Sequence, residues 1–125
     1  MTPTTTSSPP DIRERLRDVV AAADDRKALD LKVLRLEEVS DFTDFFMVCS
    51  GRTTRQVGAI AEGIRRALRE RGVRPLHIEG ERVGRWVLMD YGDLVIHVFD
   101  PETRGYYGLE RLWADAPDVT AELRG

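Results

Sequence analysis

The stretch WVLMDYGDLVIHVF, residues 86–99, decides the fold because it contains two apolar runs separated by a short polar turn. The runs at 86–89 and 94–99 have the length and side-chain character of β-strands. Between them, Gly92 lies among aspartates, which are residue types that tight turns favour. We therefore predict a β-hairpin whose side chains alternate between two faces.

The hairpin runs directly into an aromatic segment. The stretch from Trp86 to Trp113 holds both tryptophans and all three tyrosines of the chain. A helix is predicted to begin at 100–102, where aspartate precedes proline, and glycines at 105 and 108 should interrupt it before a second helical turn at 109–113. Large aromatic side chains lose little conformational entropy on binding, so this concentration is typical of a docking surface.

Upstream elements follow from the spacing of apolar residues. Helical spacing and strand-like runs predict, in order, a helix over 11–24, strands at 29–33 and 45–50, a helix from 53 to 72 and a short strand at 76–78. This order of helices and strands predicts an α/β fold in which a mixed five-stranded sheet has helices packed against it.

The two ends of the chain differ in composition from its centre. Residues 1–10, MTPTTTSSPP, are small and polar and predict a disordered tail. Residues 118–125 are expected to be loosely ordered, which leaves a folded domain at 11–117. No apolar run approaches the roughly 20 residues of a membrane span, and no signal-peptide core follows the N-terminus, so we expect no membrane partner and a cytoplasmic location.

Charge and cysteine content restrict the possible functions. The chain carries 22 acidic and 19 basic residues, a net charge of −3, whereas most nucleic-acid binders present a basic surface. We therefore expect little direct contact with nucleic acid, and a basic protein as the better-suited partner. The single cysteine, Cys49, lies in an apolar run and is predicted to be a small buried hydrophobe, so no disulfide or thiolate metal site forms within one chain.

No pattern in the sequence predicts a catalytic or metal site. Ser50 and Gly51 lead from a strand into a helix, but a P-loop would need further glycines and a lysine. Arg52 and Arg55 remain available there to an anion or an acidic partner. The carboxylates in turns and at the start of a helix have structural explanations. We therefore expect no catalytic residue, no bound metal and no cofactor.

The two histidines and one cluster of arginines also have structural explanations. His97 shares a strand face with Val95 and Phe99, which favours a buried or interface histidine with one hydrogen bond. His77 lacks Cys or His neighbours at the spacing of zinc ligands. A solvated face near a helix C-terminus explains the arginines, and contact with RNA is the alternative. These arginines are at positions 65, 66, 69 and 71.

Several motifs of the chain occur together in one known family. The motifs are WVLMDYGD at 86–93, VIHVF at 95–99 and YYGLERLWADAP at 106–117, with DFTDFF at 41–46, SG at 50–51, RQV at 55–57, IA at 60–61 and EGE at 79–81. In this order they resemble the ribosomal silencing factor family, also called the Iojap family. The resemblance covers about residues 11–117, which is the whole expected domain.

The resemblance implies a translational repressor that binds the large ribosomal subunit and sterically blocks its joining with the small subunit, slowing translation under nutrient limitation. It also implies docking on the basic large-subunit protein numbered fourteen, and a homodimer in isolation. The family's fold is similar to that of nucleotidyltransferases, but the residues after Ser50 and Gly51 lack the metal-binding carboxylate pair of those enzymes. The chain is therefore not expected to be an enzyme.

Two alternatives to this function remain open at the level of the sequence. One is a nucleotidyltransferase-like enzyme or nucleotide-binding module, which would bind a nucleotide together with a divalent metal. The other is a general dimeric scaffold without affinity for ribosomes.

The hairpin is the expected contact surface for the ribosomal protein. Trp86, Met89 and Tyr91 are predicted as apolar anchors, with Asp90 and Asp93 facing the cations of the partner. Strand alternation puts Trp86 and Met89 on opposite faces, so one set of side chains is expected to serve the core.

Overall fold

The structure is a computed structural model that describes residues 11–124. Its elements, in chain order, are α1 (Ile12–Asp25), β1 (Leu29–Arg35), β2 (Phe45–Ser50), α2 (Thr54–Glu70), β3 (His77–Glu79), β4 (Trp86–Asp90), β5 (Leu94–Phe99), α3 (Pro101–Tyr107), a 3-10 helix (Leu109–Trp113) and α4 (Thr120–Arg124). The tail predicted at residues 1–10 lies outside the described residues.

The five strands form one sheet in the order β1-β2-β5-β4-β3. β2 and β5 are parallel, and the other neighbouring pairs are antiparallel. The parallel pair requires a long crossover, which α2 and the two intervening strands supply. The prediction of an α/β fold with a mixed five-stranded sheet is confirmed, and every residue of the central strand β5 is buried.

One face of the sheet is covered by α1 and α2, whose apolar stripes form the larger core with side chains of the strands. The start of α2 is a capping box. The Gln56 N–H donates to Thr53 Oγ1 at 3.1 Å, and the Gln56 side chain accepts from the Arg52 N–H at 2.6 Å. Gly72, with φ of 80°, follows the end of the helix in the left-handed conformation that favours glycine.

The second face of the sheet is covered only in part, by α3 and the 3-10 helix. The Asp100 side chain accepts a hydrogen bond from the Thr103 N–H at 2.7 Å at the start of α3, and Gly108, with φ of 54°, ends that helix. Gly105 lies inside α3, contrary to the prediction that it would interrupt the helix. Under these elements lies a smaller core, which contains Leu34, Leu36, Phe46, Val48, Phe99 and Ala116.

The C-terminal residues, which the sequence predicts to be a loosely ordered tail at 118–125, contact β1 and the larger core through residue 124. The Val119 N–H donates to the Val33 carbonyl oxygen at 2.9 Å, and the Val33 N–H donates to Thr120 Oγ1 at 2.8 Å. Leu123 on α4 is buried in the larger core. Through residue 124 this segment therefore covers the outer edge of β1, which is a contact between distant parts of the chain that local composition does not indicate.

Candidate docking surface

β4 divides its side chains between the two faces of the sheet. Val87 and Met89 point into the larger core, and Met89 is only 1% exposed. Trp86, Leu88 and Asp90 point to the second face and are half-buried. The predicted alternation is confirmed, and the face that serves the core is the one under α1 and α2.

Two of the predicted docking anchors are therefore core residues. Met89 and Tyr91 both belong to the larger core. Burial raises the pKa of the Tyr91 hydroxyl to about 12, and its oxygen has no hydrogen-bond partner among residues 11–124. Met89 and Tyr91, which the sequence predicts as apolar anchors, are therefore buried, because the packing of the hairpin under the helices directs both side chains inward.

Trp86 is held in place by aromatic neighbours and by one hydrogen bond. Its indole Nε1–H donates to His97 Nδ1 at 2.9 Å, and its ring centroid lies 5.0 Å from that of Phe99 and 4.7 Å from that of Tyr107. Burial lowers the pKa of His97 to about 4, so at neutral pH the imidazole is uncharged and can accept this bond. The prediction of a buried histidine with one hydrogen bond is confirmed.

Exposed aromatic and aliphatic side chains continue outward from Trp86. Tyr106 is 82% exposed and Leu112 is 71% exposed, although both are large and apolar in part. Phe42, at 62% exposure, contacts the Trp113 ring with a centroid distance of 5.8 Å. We call this the aromatic surface, and it consists of Phe42, Trp86, Tyr106, Tyr107, Leu112 and Trp113. Large exposed apolar groups of this kind are typical of interaction sites.

The aspartates of the hairpin turn have structural partners within the chain. Asp90 Oδ1 accepts a hydrogen bond from the Gly92 N–H at 2.8 Å. Arg15, on α1, donates two hydrogen bonds to the Asp93 carboxylate, at 3.0 and 2.5 Å. Asp93 therefore ties the hairpin to α1, while Asp90 remains half-exposed on the second face.

A buried ionic network holds the aromatic segment against the sheet. Arg104, on α3, donates to Ser50 Oγ at the end of β2, at 3.0 Å, and to Glu110 Oε2 on the 3-10 helix, at 3.1 Å. This network joins α3, the 3-10 helix and β2 through one guanidinium group. Sequence reasoning missed it, because Ser50 and Arg104 are far apart in the chain.

The described residues contain no group of three or more His, Cys, Asp or Glu side chains placed to hold a metal ion. Burial raises the pKa of the Cys49 thiol to about 12, which confirms its prediction as a buried hydrophobe, since an unreactive thiol stays protonated. Between residues 11 and 124, no helix is long and apolar enough to cross a membrane.

Comparison with known proteins identifies one family. The family model described as "Ribosomal silencing factor during starvation" matches residues 9–124. The chain is 43% identical over 113 residues to "Ribosomal silencing factor RsfS" of Halalkalibacterium halodurans, covering 90% of this chain and 95% of that protein. It is 44% identical over 102 residues to the protein of the same name from Bacillus subtilis, covering 82% and 86% of the two chains.

Solved structures agree with this sequence similarity. A crystal structure of a protein from Chromobacterium violaceum is similar with a TM-score of 0.81 and 35% identity, and the match covers 84% of this chain and 88% of that chain. Because the match covers most of both chains, the α/β fold of this chain is shared with that protein.

Proposed function

The chain belongs to the ribosomal silencing factor family, and we propose that it represses translation by docking its aromatic surface on the large ribosomal subunit. It is a ribosomal silencing factor that acts during starvation and blocks the joining of the subunits, and it is not an enzyme. Family membership therefore removes both alternatives considered from the sequence, the nucleotidyltransferase-like enzyme or nucleotide-binding module and the scaffold without affinity for ribosomes.

The observation that carries the docking proposal is the exposure of the aromatic surface on the incompletely covered face of the sheet. Tyr106, Tyr107 and Leu112 keep at least half of their surface in contact with water. Rigid aromatic groups of this type provide most of the binding energy in many protein interfaces. Trp86 supports them from beneath, since its ring packs on Tyr107 and is fixed by the hydrogen bond to His97.

Charge supports a basic protein as the partner at this surface, and we propose the large-subunit protein numbered fourteen. Asp90 and Glu79 lie on the same face of neighbouring strands β4 and β3 as Trp86, and Glu79 also contacts His77. Carboxylates beside aromatic anchors attract and orient a cationic partner. Of the five residues predicted from the sequence, Trp86 and Asp90 remain in the proposed interface, while Met89, Tyr91 and Asp93 support it from within the fold.

Steric exclusion is sufficient to explain repression once the chain is bound. A domain of this length has a radius of gyration of about 14 Å, which is too large a body to fit between two closely packed subunits. Binding on the joining face of the large subunit would therefore prevent joining without any chemical step. The identity of more than 40% to two bacterial proteins supports a cytoplasmic location as part of this proposal.

We also propose that the isolated chain forms a homodimer through the aromatic surface. Pairing at the β1 edge is disfavoured, because residues Pro117 to Thr120 occupy it through hydrogen bonds to Val33 and Arg35. At the other edge, β3 has only three residues, and edges as short as this resist pairing with another chain. An aromatic surface shared between two copies would have to separate before it binds the ribosome.

Substitutions on the aromatic surface test this function. Tyr107→Ala with Leu112→Ala should weaken binding to purified large subunits at least about tenfold, because two exposed anchors are lost. Cosedimentation measures binding, and a sucrose-gradient assay of subunit joining measures the consequence. The matched control is Val83→Ala, an aliphatic residue of similar exposure, 67%, outside this surface.

Binding of the double variant at the level of the wild type, with joining still blocked, would remove the aromatic surface from the interface. Failure of the wild-type chain itself to sediment with large subunits would contradict the ribosomal function as a whole. A pull-down with the purified large-subunit protein numbered fourteen separates the choice of partner from the choice of surface.

A further inference from the structure

The net charge of −3 hides an uneven distribution along the chain. Between residues 52 and 85 there are nine arginines and four glutamates, a net charge of +5. The rest of the chain contains ten basic and 18 acidic residues, a net charge of −8. Charge asymmetry of this size within one small domain points to a separate interaction surface.

The fold brings these arginines to one side of the molecule. Arg55, Arg66 and Arg69 are exposed on α2, opposite the stripe that packs on the sheet. The turn at 80–85 packs against the first turn of α2, where Gly84 approaches so closely that a Cβ atom there would lie 2.8 Å from the Thr54 carbonyl oxygen. We define the basic face as the exposed residues Arg52, Arg55, Arg66, Arg69, Arg82 and Arg85.

The arginines of the basic face are not used to stabilise the fold. None of them forms an ion pair with an acidic residue between positions 11 and 124. In contrast, Arg65 pairs with Glu81 and Arg71 pairs with Glu14 and Asp18. Glu62 is also exposed on this side of α2, but the arginines outnumber it, so a polyanion that bound them would gain attractive charge interactions.

The residue types of the basic face favour RNA over an acidic protein. All six cations are arginine, whose planar group can donate two parallel hydrogen bonds to one phosphate. The only large apolar residue exposed in the adjoining turn is Val83, so the aromatic anchors of a typical protein interface are missing here. Phosphate-backbone contacts need charge and donors without such anchors.

We propose that the basic face binds the phosphate backbone of ribosomal RNA next to the protein contact made by the aromatic surface. The two surfaces meet where Arg85 precedes Trp86, beside a groove that Glu102, Tyr106 and Tyr107 also line. The inference rests on the proposed function, because it places RNA and protein contacts side by side on one subunit. It replaces the expectation of little direct contact with nucleic acid, which was based on the net charge of the whole chain.

The salt dependence of RNA binding tests this proposal. The probe is a fluorescent RNA duplex of roughly 20 base pairs, which is long enough to present two successive grooves. The variant Arg55→Gln/Arg66→Gln/Arg69→Gln/Arg82→Gln removes four charges from exposed positions. Because each phosphate contact on a duplex contributes about 0.9 to the slope of log K against log salt, the loss of four contacts should lower the magnitude of the slope by up to about 3.6 relative to the wild type. Circular dichroism and thermal unfolding establish that the variant is folded.

The control removes arginines from the outer side of α1, as Arg13→Gln/Arg17→Gln, and should leave the slope unchanged. Equal slopes for the wild type and the four-site variant, or no binding of the duplex by the wild type at about 50 mM salt, would overturn the proposal. Loss of subunit binding by the four-site variant with unchanged RNA binding would overturn it in favour of an acidic protein partner. Wild-type binding to the duplex without sedimentation on large subunits would contradict the proposed function instead, so the two failures are distinguishable.

Discussion

The two faces of β4 are covered by different elements, although the side chains of the strand alternate regularly between them. Val87 and Met89 are sealed under α1 and α2 in a core of mostly aliphatic side chains. Trp86 and Leu88, one residue away in each case, are only half-buried. Strand geometry therefore separates two sets of side chains, but the helices decide which set stabilises the fold and which remains available to a partner.

The side chains on the second face also differ in chemistry. Trp86, His97 and Phe99 combine aromatic packing with a hydrogen bond between ring nitrogens. Aromatic groups with a polar atom suit a surface that is apolar on one side and in contact with water on the other. The comparison supports the proposal that the helix-covered face stabilises the fold and that the second face contacts the partner.

The largest effect expected from this comparison is a loss of stability on the helix-covered face. Met89→Ala should lower the free energy of unfolding by about 2–5 kcal/mol, because it leaves a cavity in a closely packed core. Leu88→Ala, on the second face of the same strand, should cost about 1 kcal/mol or less, since half-exposed positions lose little burial. Urea unfolding followed by circular dichroism measures both, and equal losses would mean that the second face is packed as tightly as the first.

A smaller effect is expected from the titration of His97 on the second face. The native pKa of about 4 lies below the value of about 6.5 in an unfolded chain, so as pH falls from 6.5 to 4 the unfolded state binds a proton that the native state does not. The contribution of His97 to the unfolding free energy is therefore present above about pH 6.5. It decreases by roughly 3 kcal/mol as the pH falls to 4, and little further loss from this group follows below that pH.

The control for this pH effect is His97→Asn, which does not titrate and keeps an acceptor near the indole Nε1–H of Trp86. Between about pH 7.5 and 4, the unfolding free energy of the wild type should fall by roughly 3 kcal/mol more than that of the variant, because only the wild type carries the titrating group. Parallel pH profiles would mean that His97 takes up a proton as readily in the folded state as in the unfolded chain, and that the second face admits more water than its burial indicates.

The smallest expected effect on the unfolding free energy comes from the ion pair of Arg15 with Asp93 in the hairpin turn. Arg15 and Asp93 should show a coupling free energy of about 1 kcal/mol in a double-mutant cycle of Arg15→Met and Asp93→Asn, because the carboxylate is partly screened by water. If Asp93 is a tether, Asp93→Asn should lower the unfolding free energy and leave the affinity for large subunits unchanged. A loss of affinity in a variant as stable as the wild type would return Asp93 to the interface.

Local patterns were sufficient to predict most of the elements, since capping residues, glycine positions and apolar spacing act over a few residues. The hairpin, α2 and the capping role of Asp100 follow from such signals. Contacts between distant residues left no comparable signal. The contact of Phe42 with Trp113, the Ser50–Arg104–Glu110 network and the docking of α4 on β1 each depend on how complete elements pack.

By itself, the sequence determined the α/β architecture, the alternation of β4 and the aromatic content of the segment from Trp86 to Trp113, because these depend on residue types and their spacing. It also contained the motifs that identify the family. Only the tertiary structure decided that Met89 and Tyr91 belong to the core and that Trp86 belongs to a surface. The physical reason is that alternation is symmetric between two faces, and the symmetry is broken only where α1 and α2 pack on one of them.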